Sequence, residues 1–312
     1  MTLIRRRVSA LAVAALLAAC AGCSGTSTAK PSTAAHSTPV ATSRVTTAPV
    51  SGRGGPPAIK GLVWRPAGSV VNGRHATYLA STRNGTVALM WMDPSVISFR
   101  YVPGYAYPER GPILPQDRLA SSWEPTMLAA FNGAFKLSDG DGGYYYAGVT
   151  VSRLRDGLAS MVLTKDGHLS VQVWGRGSTS LVNVEAVRQN LPPLVDHYVS
   201  RTSPSDNNHT WGYADHDAAY ANRSALGQLA DGSLVYVYGH LVRPPDMAAA
   251  LVLVHARTAI MLDMNLSQPG GFVYEHVGGK LTGQRILGSI FHNQTVYMMW
   301  YKKDFVVALA RS

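Results

Sequence analysis

The chain has 312 residues, 46% of them hydrophobic, and a formal net charge of +10. Residues 1–60 contain seven Lys or Arg and no Asp or Glu, which leaves 21 basic and 18 acidic residues, a net charge of +3, for the remainder. This balance speaks against a nucleic-acid partner, and the remaining stretch of about 250 residues is long enough to bury a core of its own.

The first segment has the composition of an export signal. Three arginines at positions 5–7 precede an uncharged run over 8–19, which is shorter than the roughly 20 residues of a spanning helix. The run ends in Leu17-Ala18-Ala19-Cys20, which resembles a bacterial lipobox, so Cys20 is predicted to be lipidated. Cys23 is a second candidate, and an ordinary cleaved signal peptide is the alternative. We expect an extracytoplasmic protein that is lipid-anchored to the cell membrane.

Three regions are predicted from composition. Residues 1–19 form the signal peptide, and residues 20–60, rich in Ser, Thr, Ala, Pro and Gly, form a disordered tether. Residues 61–312 form one domain. Both cysteines precede this domain, which therefore contains no disulfide and no cysteine chemistry.

The domain is predicted to be α+β, with strand-rich mixed sheets and a few packed helices. Apolar or alternating runs bounded by turn residues indicate strands at 86–92, 97–102, 161–164, 169–174, 226–229 and 234–238. The alternation Val235-Tyr236-Val237-Tyr238 is typical of a strand with two different faces. Met247–Ala256, preceded by Pro245-Asp246, predicts a buried helix, and 181–190 predicts a weaker one.

Polar clusters adjoin three of the apolar, strand-like runs. These are Asn132-Gly133, Arg223-Ser224 and Asp263-Met264-Asn265. Polar groups at the ends of buried strands are costly unless something binds them, so the three clusters are expected to converge on one site. Arg223 could hold a phosphate through its fork of donors, and Asp263 could act as base, nucleophile or electrostatic stabiliser. Each cluster also has a structural reading, as a turn, an ion pair or a loop cap.

These clusters resemble the motifs of the phosphodiester glycosidase domain family, whose animal member removes N-acetylglucosamine from a phosphodiester to uncover mannose 6-phosphate. Phe131-Asn132-Gly133-Ala134-Phe135 is similar to its Asn-Gly-Gly-Phe motif. Arg223-Ser224-Ala225-Leu226-Gly227, followed by Asp231-Gly232, is similar to its Arg-Thr-Ala-Ile-Gly motif and hairpin. Leu262–Ser267 is similar to its Leu-Asp-Gly-Gly-Gly-Ser motif, except that Met264 and Asn265 replace glycines. The resemblance covers roughly residues 85–310 and implies a glycosidase-type hydrolase.

The predicted site has catalytic and substrate-binding members. Asp263, Arg223 and Glu275 are the predicted catalytic residues. Glu275 or its neighbour His276 could supply the second acid–base group, and His292 is a weaker candidate for it. The predicted substrate-binding residues are Asn132, Gly133, Ser224, Asn265 and Asp217. The last of these lies in the polar stretch 205–217, ahead of Arg223.

Two further clusters are weighed for other roles. Asp139-Gly140-Asp141-Gly142-Gly143 could bind Ca²⁺ through oxygens, but its spacing is not that of an EF-hand loop, and a rim loop is the alternative. The two acids around the His in Asp215-His216-Asp217 could hold a metal, but the spacing of a known zinc motif is missing there, so no metal is assigned. Tyr144-Tyr145-Tyr146 is either a sugar-stacking platform or a set of core aromatics.

Two functions of different classes follow. The first is an exported hydrolase that cleaves a glycosyl phosphodiester or a related cell-envelope glycan. The second is a non-catalytic lipoprotein that binds glycans through a degenerate site, which the replacement of glycines by Met264 and Asn265 favours. A Gly-x-Ser-x-Gly elbow and a phosphate-binding Gly-rich loop with Lys are both missing from the sequence.

Overall fold

The chain folds into three sheets with one α-helix in the part that the structure describes. The structure is a computed structural model, and it describes residues 54–106, 119–140, 142–177, 179–206, 210–212 and 219–311. The elements are β1 (Arg65–Val71), β2 (Arg74–Thr82), β3 (Val87–Met92), β4 (Ile97–Val102), β5 (Met127–Asn132), β6 (Tyr144–Tyr146), β7 (Val149–Ser152), β8 (Ala159–Thr164), β9 (Leu169–Val173), β10 (Val184–Gln189), β11 (Val195–Asp196), β12 (Val199–Ser200), β13 (Ala221–Gln228), β14 (Leu234–Val242), α1 (Pro244–Leu253), β15 (Thr258–Met264), β16 (Gly271–Val277), β17 (Lys280–Arg285) and β18 (Phe305–Ala310).

Each sheet pairs its described strands in antiparallel fashion. The large sheet has eight strands in the order β1-β2-β3-β14-β13-β15-β11-β12. The second sheet has the order β7-β6-β10-β8-β9, and the third has β17-β16-β5-β18-β4. The strand-rich single domain predicted from the sequence is confirmed, but the observed pairings are all antiparallel rather than mixed.

The large sheet is buried on both faces, as the alternation in β14 predicted. Tyr236 and Tyr238 belong to a core cluster shared with the third sheet and part of the second. Val235 and Val237 point to the opposite face, where they pack with residues of α1 such as Met247 and Leu251 in a separate cluster. Because side chains alternate along a strand, one apolar run supplies both cores.

Helix α1 confirms the predicted helix near Met247–Ala256, with bounds three residues earlier. Asp246 accepts a hydrogen bond from the N–H of Arg243 at 2.9 Å and so caps the first turn. The helix lies against β13 at Gly227, where an added Cβ would press on Leu251. Close packing of helix and sheet therefore depends on a residue without a side chain at this position.

The second predicted helix, over 181–190, is wrong. The segment contains β10, which pairs with β6 on one side and β8 on the other. Val184, Ala186, Val187 and Arg188 are all buried in this central strand. The pairing on both edges offers more burial than a helix on the surface would, and tertiary context overrides the weak local preference.

The packed part of the chain begins a few residues before the predicted boundary at 61. The indole of Trp64 donates to the carbonyl of Pro57 at 3.0 Å, and the N–H of Leu62 donates to Ile59 at 3.1 Å. Within the described ranges, no helix has both the length and the apolar character needed to cross a membrane.

Candidate functional site

Three strand ends from two sheets are joined at the turn that follows β5. The N–H of Gly133 donates to the carbonyl of Asp304 at 2.8 Å, just before β18. The carbonyl of Gly133 accepts from the N–H of Asp263, near the end of β15, at 3.0 Å. The two backbone polar groups of Gly133 thus link the large sheet to the third sheet. Asn132-Gly133 and Asp263 therefore come together, as their predicted convergence requires.

Asp263 is paired with Lys303. The ammonium of Lys303 donates to Oδ2 of Asp263, and the N–H of Met264 donates to Oδ1 at 2.9 Å. The side chains of Asp263 and Lys303 are only 8% and 6% exposed, so the pair is almost completely buried. Burial raises the pKa of the Asp263 carboxyl above its ordinary value, although Lys303 acts in the opposite direction.

Behind this pair lies a second, fully buried carboxylate. Oδ2 of Asp304 accepts from Tyr101 Oη at 2.8 Å, from Arg188 Nε at 3.2 Å and from the N–H of Ala134 at 3.3 Å. Among the described residues, no donor reaches Oδ1. Burial lowers the pKa of Arg188, but the charges of Asp304, Tyr101 and Tyr144 and the hydrogen bond to Asp304 together outweigh it, and the pKa is raised. Asp304 also lies close enough to Asp263 for its charge to raise the pKa of that carboxyl.

The amide of Asn132 makes four hydrogen bonds within the protein. Nδ2 donates to Ser224 Oγ and to the carbonyl of Gly133, both at 2.9 Å. Oδ1 accepts from Tyr236 Oη at 2.7 Å and from the N–H of Gly270 at 3.0 Å. An asparagine amide has two donor hydrogens and two acceptor lone pairs, so this one is saturated. The predicted donation from Asn132 to substrate is not supported, and its contacts make it a positioning residue.

Ser224 connects Asn132 to the strand that carries Asp263. Its hydroxyl accepts from Asn132 and donates to the main-chain carbonyl of Asp263 at 2.7 Å. Ser224 is fully buried, so it too holds the strand ends together and does not face a substrate.

Arg223 contacts a different set of groups. It pairs with Met264 in the ladder between β13 and β15. Its guanidinium donates to the carbonyls of Val242 at 3.2 Å and Trp211 at 3.1 Å, and it lies 3.5 Å from the sulfur of Met264. Burial lowers the pKa of Arg223 to about 10. The cation that touches Asp263 is therefore Lys303, where the sequence had suggested Arg223.

The two residues that replace glycines at the third motif behave differently. Asn265 has a φ of 82°, a backbone conformation that favours glycine and that asparagine tolerates better than most residues. Met264 is buried within the cluster on the α1 side of the large sheet, beside Arg223. Asn265 thus keeps the backbone shape of a glycine, whereas Met264 fills space with its side chain.

Glu275 lies away from this site. It stands on the exposed outer half of β16, opposite Thr282 of β17, whereas Gly270, just before β16, contacts Asn132. Five residues of extended strand separate Gly270 from Glu275, a span of about 16 Å. His276 is exposed on the same hairpin. The predicted second acid–base role of Glu275 therefore has no support in its position, because the strand carries it outward.

Several predicted features lie wholly or partly outside the described residues. These are Cys20, Asp217 and, within the candidate Ca²⁺ loop, Asp141. Across the described ranges, no three His, Cys, Asp or Glu side chains are grouped so that they could hold a metal ion. Tyr144 and Tyr145 are buried in two core clusters and Tyr146 packs against one of them, so the core reading of this triplet holds.

Sequence reasoning missed Lys303, Asp304 and Arg188. The signal for the first two is the charged triplet Lys302-Lys303-Asp304 directly before the apolar run 305–309. It is the same pattern of polar residues at a strand end that marks Asn132 and Asp263. Arg188 was hidden inside the segment that was predicted to be a helix.

Comparisons with known proteins identify no family for this chain. No family model and no curated protein match it. Among solved structures, it is similar to the catalytic domain of zebrafish N-acetylglucosamine-1-phosphodiester alpha-N-acetylglucosaminidase, auto-inhibited by its pro-peptide, with 13% identity, a TM-score of 0.41, and coverage of 80% of this chain and 82% of that one. It is also similar to a hypothetical protein from Synechocystis, with 12% identity, a TM-score of 0.37, and coverage of 82% and 64%. A Burkholderia pseudomallei protein assigned as exported matches at 12% identity and a TM-score of 0.31, with coverage of 76% and 75%. These are weak resemblances of fold, and they carry no argument about activity.

Proposed function

We propose that the chain is an exported hydrolase that cleaves a glycosyl phosphodiester or a related cell-envelope glycan, with Asp263 as its acid–base group. The observation that carries the proposal is the nearly buried Asp263–Lys303 ion pair. A carboxyl whose pKa is raised by burial and that has a specific charged partner is typical of general acid–base catalysis. The order of motifs that resembles phosphodiester glycosidases supports the choice of substrate class.

The two groups of the pair have complementary tasks in such a reaction. Water adds to the anomeric carbon and loses its proton to the carboxylate of Asp263. The bond from that carbon to the phosphate oxygen breaks, and the departing phosphate keeps the electron pair. The ammonium of Lys303 offsets the negative charge that forms on the phosphate. Asp304, fully buried behind the pair, acts through Asp263, whose pKa its charge raises.

Arg223 has a supporting role in this proposal. Three of its contacts are with the main-chain carbonyls of Val242 and Trp211 and with the sulfur of Met264. We assign it to the structure of the large sheet behind the site, and Lys303 replaces it as the group that receives the phosphate charge.

A second candidate function rests on Met264. Its side chain packs beside Arg223, where the resembling family has a glycine that lets a ligand approach. A chain whose site is filled in this way would bind envelope glycans without cleaving them. Turnover is the property that separates this candidate from the hydrolase.

The test is a hydrolysis screen of the purified full-length chain against glycosyl phosphodiesters and aryl glycosides. We expect turnover of a phosphodiester that Asp263→Asn lowers at least a hundredfold, a size typical for loss of an acid–base group. Glu275→Gln should stay within a few-fold of the parent chain, because Glu275 is exposed on the outer hairpin. Full activity in Asp263→Asn would refute the assignment, and binding without turnover in the parent chain would favour the second candidate.

A further inference from the structure

Large apolar side chains are exposed on the chain segments next to Asp263 and Lys303. Leu266, Phe291 and Trp300 are 61%, 67% and 68% exposed, and Met299 is also exposed. We call these four residues the apolar rim. Scattered exposed apolar residues are common on protein surfaces, but an adjacent group of them marks an interaction site.

His292 brings the three loops of the rim together. Its ring lies 5.2 Å from the ring of Phe291 and 5.9 Å from that of Tyr301, and it hydrogen-bonds the backbone of Ser267. Leu266, Phe291 and Trp300 are the direct chain neighbours of Ser267, His292 and Tyr301. Three exposed apolar side chains therefore flank one half-buried histidine.

Tyr301 places this rim beside the candidate site. Burial raises the pKa of the Tyr301 hydroxyl, and the charges of Asp263 and Asp304 raise it further, which requires that both carboxylates be near. Lys303, the partner of Asp263, is two residues further along the chain. The rim thus lies on the chain segments that carry the pair, since Leu266 and Trp300 are each three positions from Asp263 and Lys303, respectively.

The charge of the rim loops has a single sign. Segments 265–270 and 285–303 contain no Asp or Glu, and they carry Arg285, Lys302 and Lys303. Arg285 and Lys302 are exposed, and both lie near enough to His292 to lower its pKa, after the larger effect of burial. Aromatic and aliphatic side chains interspersed with Lys and Arg are the composition of surfaces that dock on anionic membranes.

We propose that the apolar rim docks on an anionic lipid bilayer and that the site takes its substrate from that bilayer, as a glycosyl phosphate carried on a lipid. This inference rests on the proposed function and names its substrate class. The rim enters the interface, Arg285 and Lys302 contact anionic headgroups, and the sugar phosphate of the lipid faces Asp263 and Lys303. A soluble sugar phosphate would make no use of the rim.

The test follows the fluorescence of Trp300 in the full-length chain. The chain is reconstituted through its own amino terminus into vesicles of phosphatidylcholine and phosphatidylglycerol with brominated acyl chains, which quench indoles in the bilayer. The signal of Trp300 is the difference between the parent chain and Trp300→Phe. We expect this signal to fall about twofold on anionic vesicles and clearly less on vesicles of phosphatidylcholine alone, because Trp side chains at an interface contact the acyl region.

Matched variants distinguish docking through the apolar rim from non-specific adsorption of exposed apolar residues to the bilayer. Leu266→Ser with Phe291→Ser should abolish the quenching, whereas Val63→Ser with Val182→Ser, equally exposed elsewhere, should leave it intact. Quenching that survives the first pair overturns the proposal. Protection of Trp300 by soluble oligosaccharides, with no effect of brominated lipid, overturns it in favour of sugar stacking.

The result is independent of turnover. Asp263→Asn removes the proposed acid–base group but leaves the rim unchanged, so it should be quenched like the parent chain. Quenching without hydrolysis would support docking through the apolar rim and refute only the proposed hydrolase activity. Hydrolysis of soluble phosphodiesters without quenching refutes only the docking surface.

Discussion

Gly133 shows how a single residue determines the geometry of the site. Its peptide joins β15 to the start of β18, and a Cβ at this position would overlap the carboxylate of Asp304. The φ of Gly133 is not in the left-handed region, so its backbone conformation does not require glycine. Glycine is required here because a side chain would have no space. Asn132 next to it is held by four hydrogen bonds, so neither residue can shift alone.

Gly133→Ala is therefore expected to destabilise the domain by about 2–3 kcal/mol, the cost of forcing extra volume into a packed interior. Urea unfolding gives the free energy of unfolding. Gly288→Ala is the matched control, because its added methyl meets open space, and it should stay within about 0.5 kcal/mol of the parent chain. Equal losses in the two variants would contradict the role of Asp304 at Gly133.

Lys303→Met tests the pair with Asp263. Removing the cation leaves a buried carboxylate without its partner, and we expect a loss of about 3–5 kcal/mol at pH 7. The pKa of Asp263 is already raised in the folded state, and it rises further without Lys303. A carboxyl with a raised pKa loses stability as pH increases from its unfolded pKa to its folded pKa. The loss should therefore shrink as the pH is lowered towards the ordinary pKa of Asp.

The control is the double variant Asp263→Asn with Lys303→Met. Because it removes both charges, it should recover most of the stability that Lys303→Met loses at neutral pH. A loss in Lys303→Met that is equal at pH 7 and near pH 4, or a double variant as unstable as the single one, would show that the pair is not the cause.

At the scale of elements, the end of β15 is a turn with a constrained backbone. Met264 continues the buried face of the strand, and Asn265 then turns the backbone with a φ of 82°. The N–H of Asn265 donates to the carbonyl of Asn222 at 3.0 Å, which fixes the turn to β13. The strand therefore ends at a conformation that few side chains accept.

Two substitutions at Asn265 measure this constraint. Asn265→Gly should remain within about 0.5 kcal/mol of the parent chain, whereas Asn265→Val should cost about 1–2 kcal/mol of stability, because a β-branched residue resists positive φ. Thermal unfolding reports both. Leu266→Val, at an exposed position without positive φ, should change little. A tolerated valine at 265 would mean that the turn is easily rebuilt.

At the scale of the whole molecule, the packed domain includes residues before 61. Pro57 and Ile59 are bonded to Trp64 and Leu62, and Leu62 is buried. Limited proteolysis of the full chain should leave a stable fragment that begins within residues 50–57. Mass spectrometry of the fragment identifies its first residue. A stable fragment that begins beyond Trp64, or no stable fragment, would contradict a single domain with this boundary.

The anchor proposed at Cys20 is tested in a bacterial host. Cys20→Ala should shift the chain from the membrane fraction to the soluble extracytoplasmic fraction, because a lipidated cysteine is the only predicted hold on the membrane besides the rim. Fractionation and blotting measure the shift. Cys23→Ala is the control and should remain membrane-bound. A chain that stays as firmly bound in the double variant would show that lipidation of these cysteines is not what holds it to the membrane.

The sequence by itself determined the strand-rich class, the hairpin at Asp231-Gly232, the two-faced β14 and helix α1. These features depend on local periodicity and turn residues, which can be read directly along the chain. It also placed Asn132, Ser224 and Asp263 at strand ends that do meet. The lipid anchor, the tether, and the roles of Asp217 and the candidate Ca²⁺ loop remain predictions.

Only the tertiary structure decided which groups touch. The pairing of Asp263 with Lys303 and of Asp304 with Arg188 joins residues 40 and 116 positions apart, and no local pattern encodes such contacts. The same long-range packing turned 181–190 into a central strand, moved Glu275 outward and surrounded Arg223 with carbonyl groups. Strand ends could be found from hydropathy, but the choice of partner across two sheets depends on how the sheets pack, and that is a property of the whole fold.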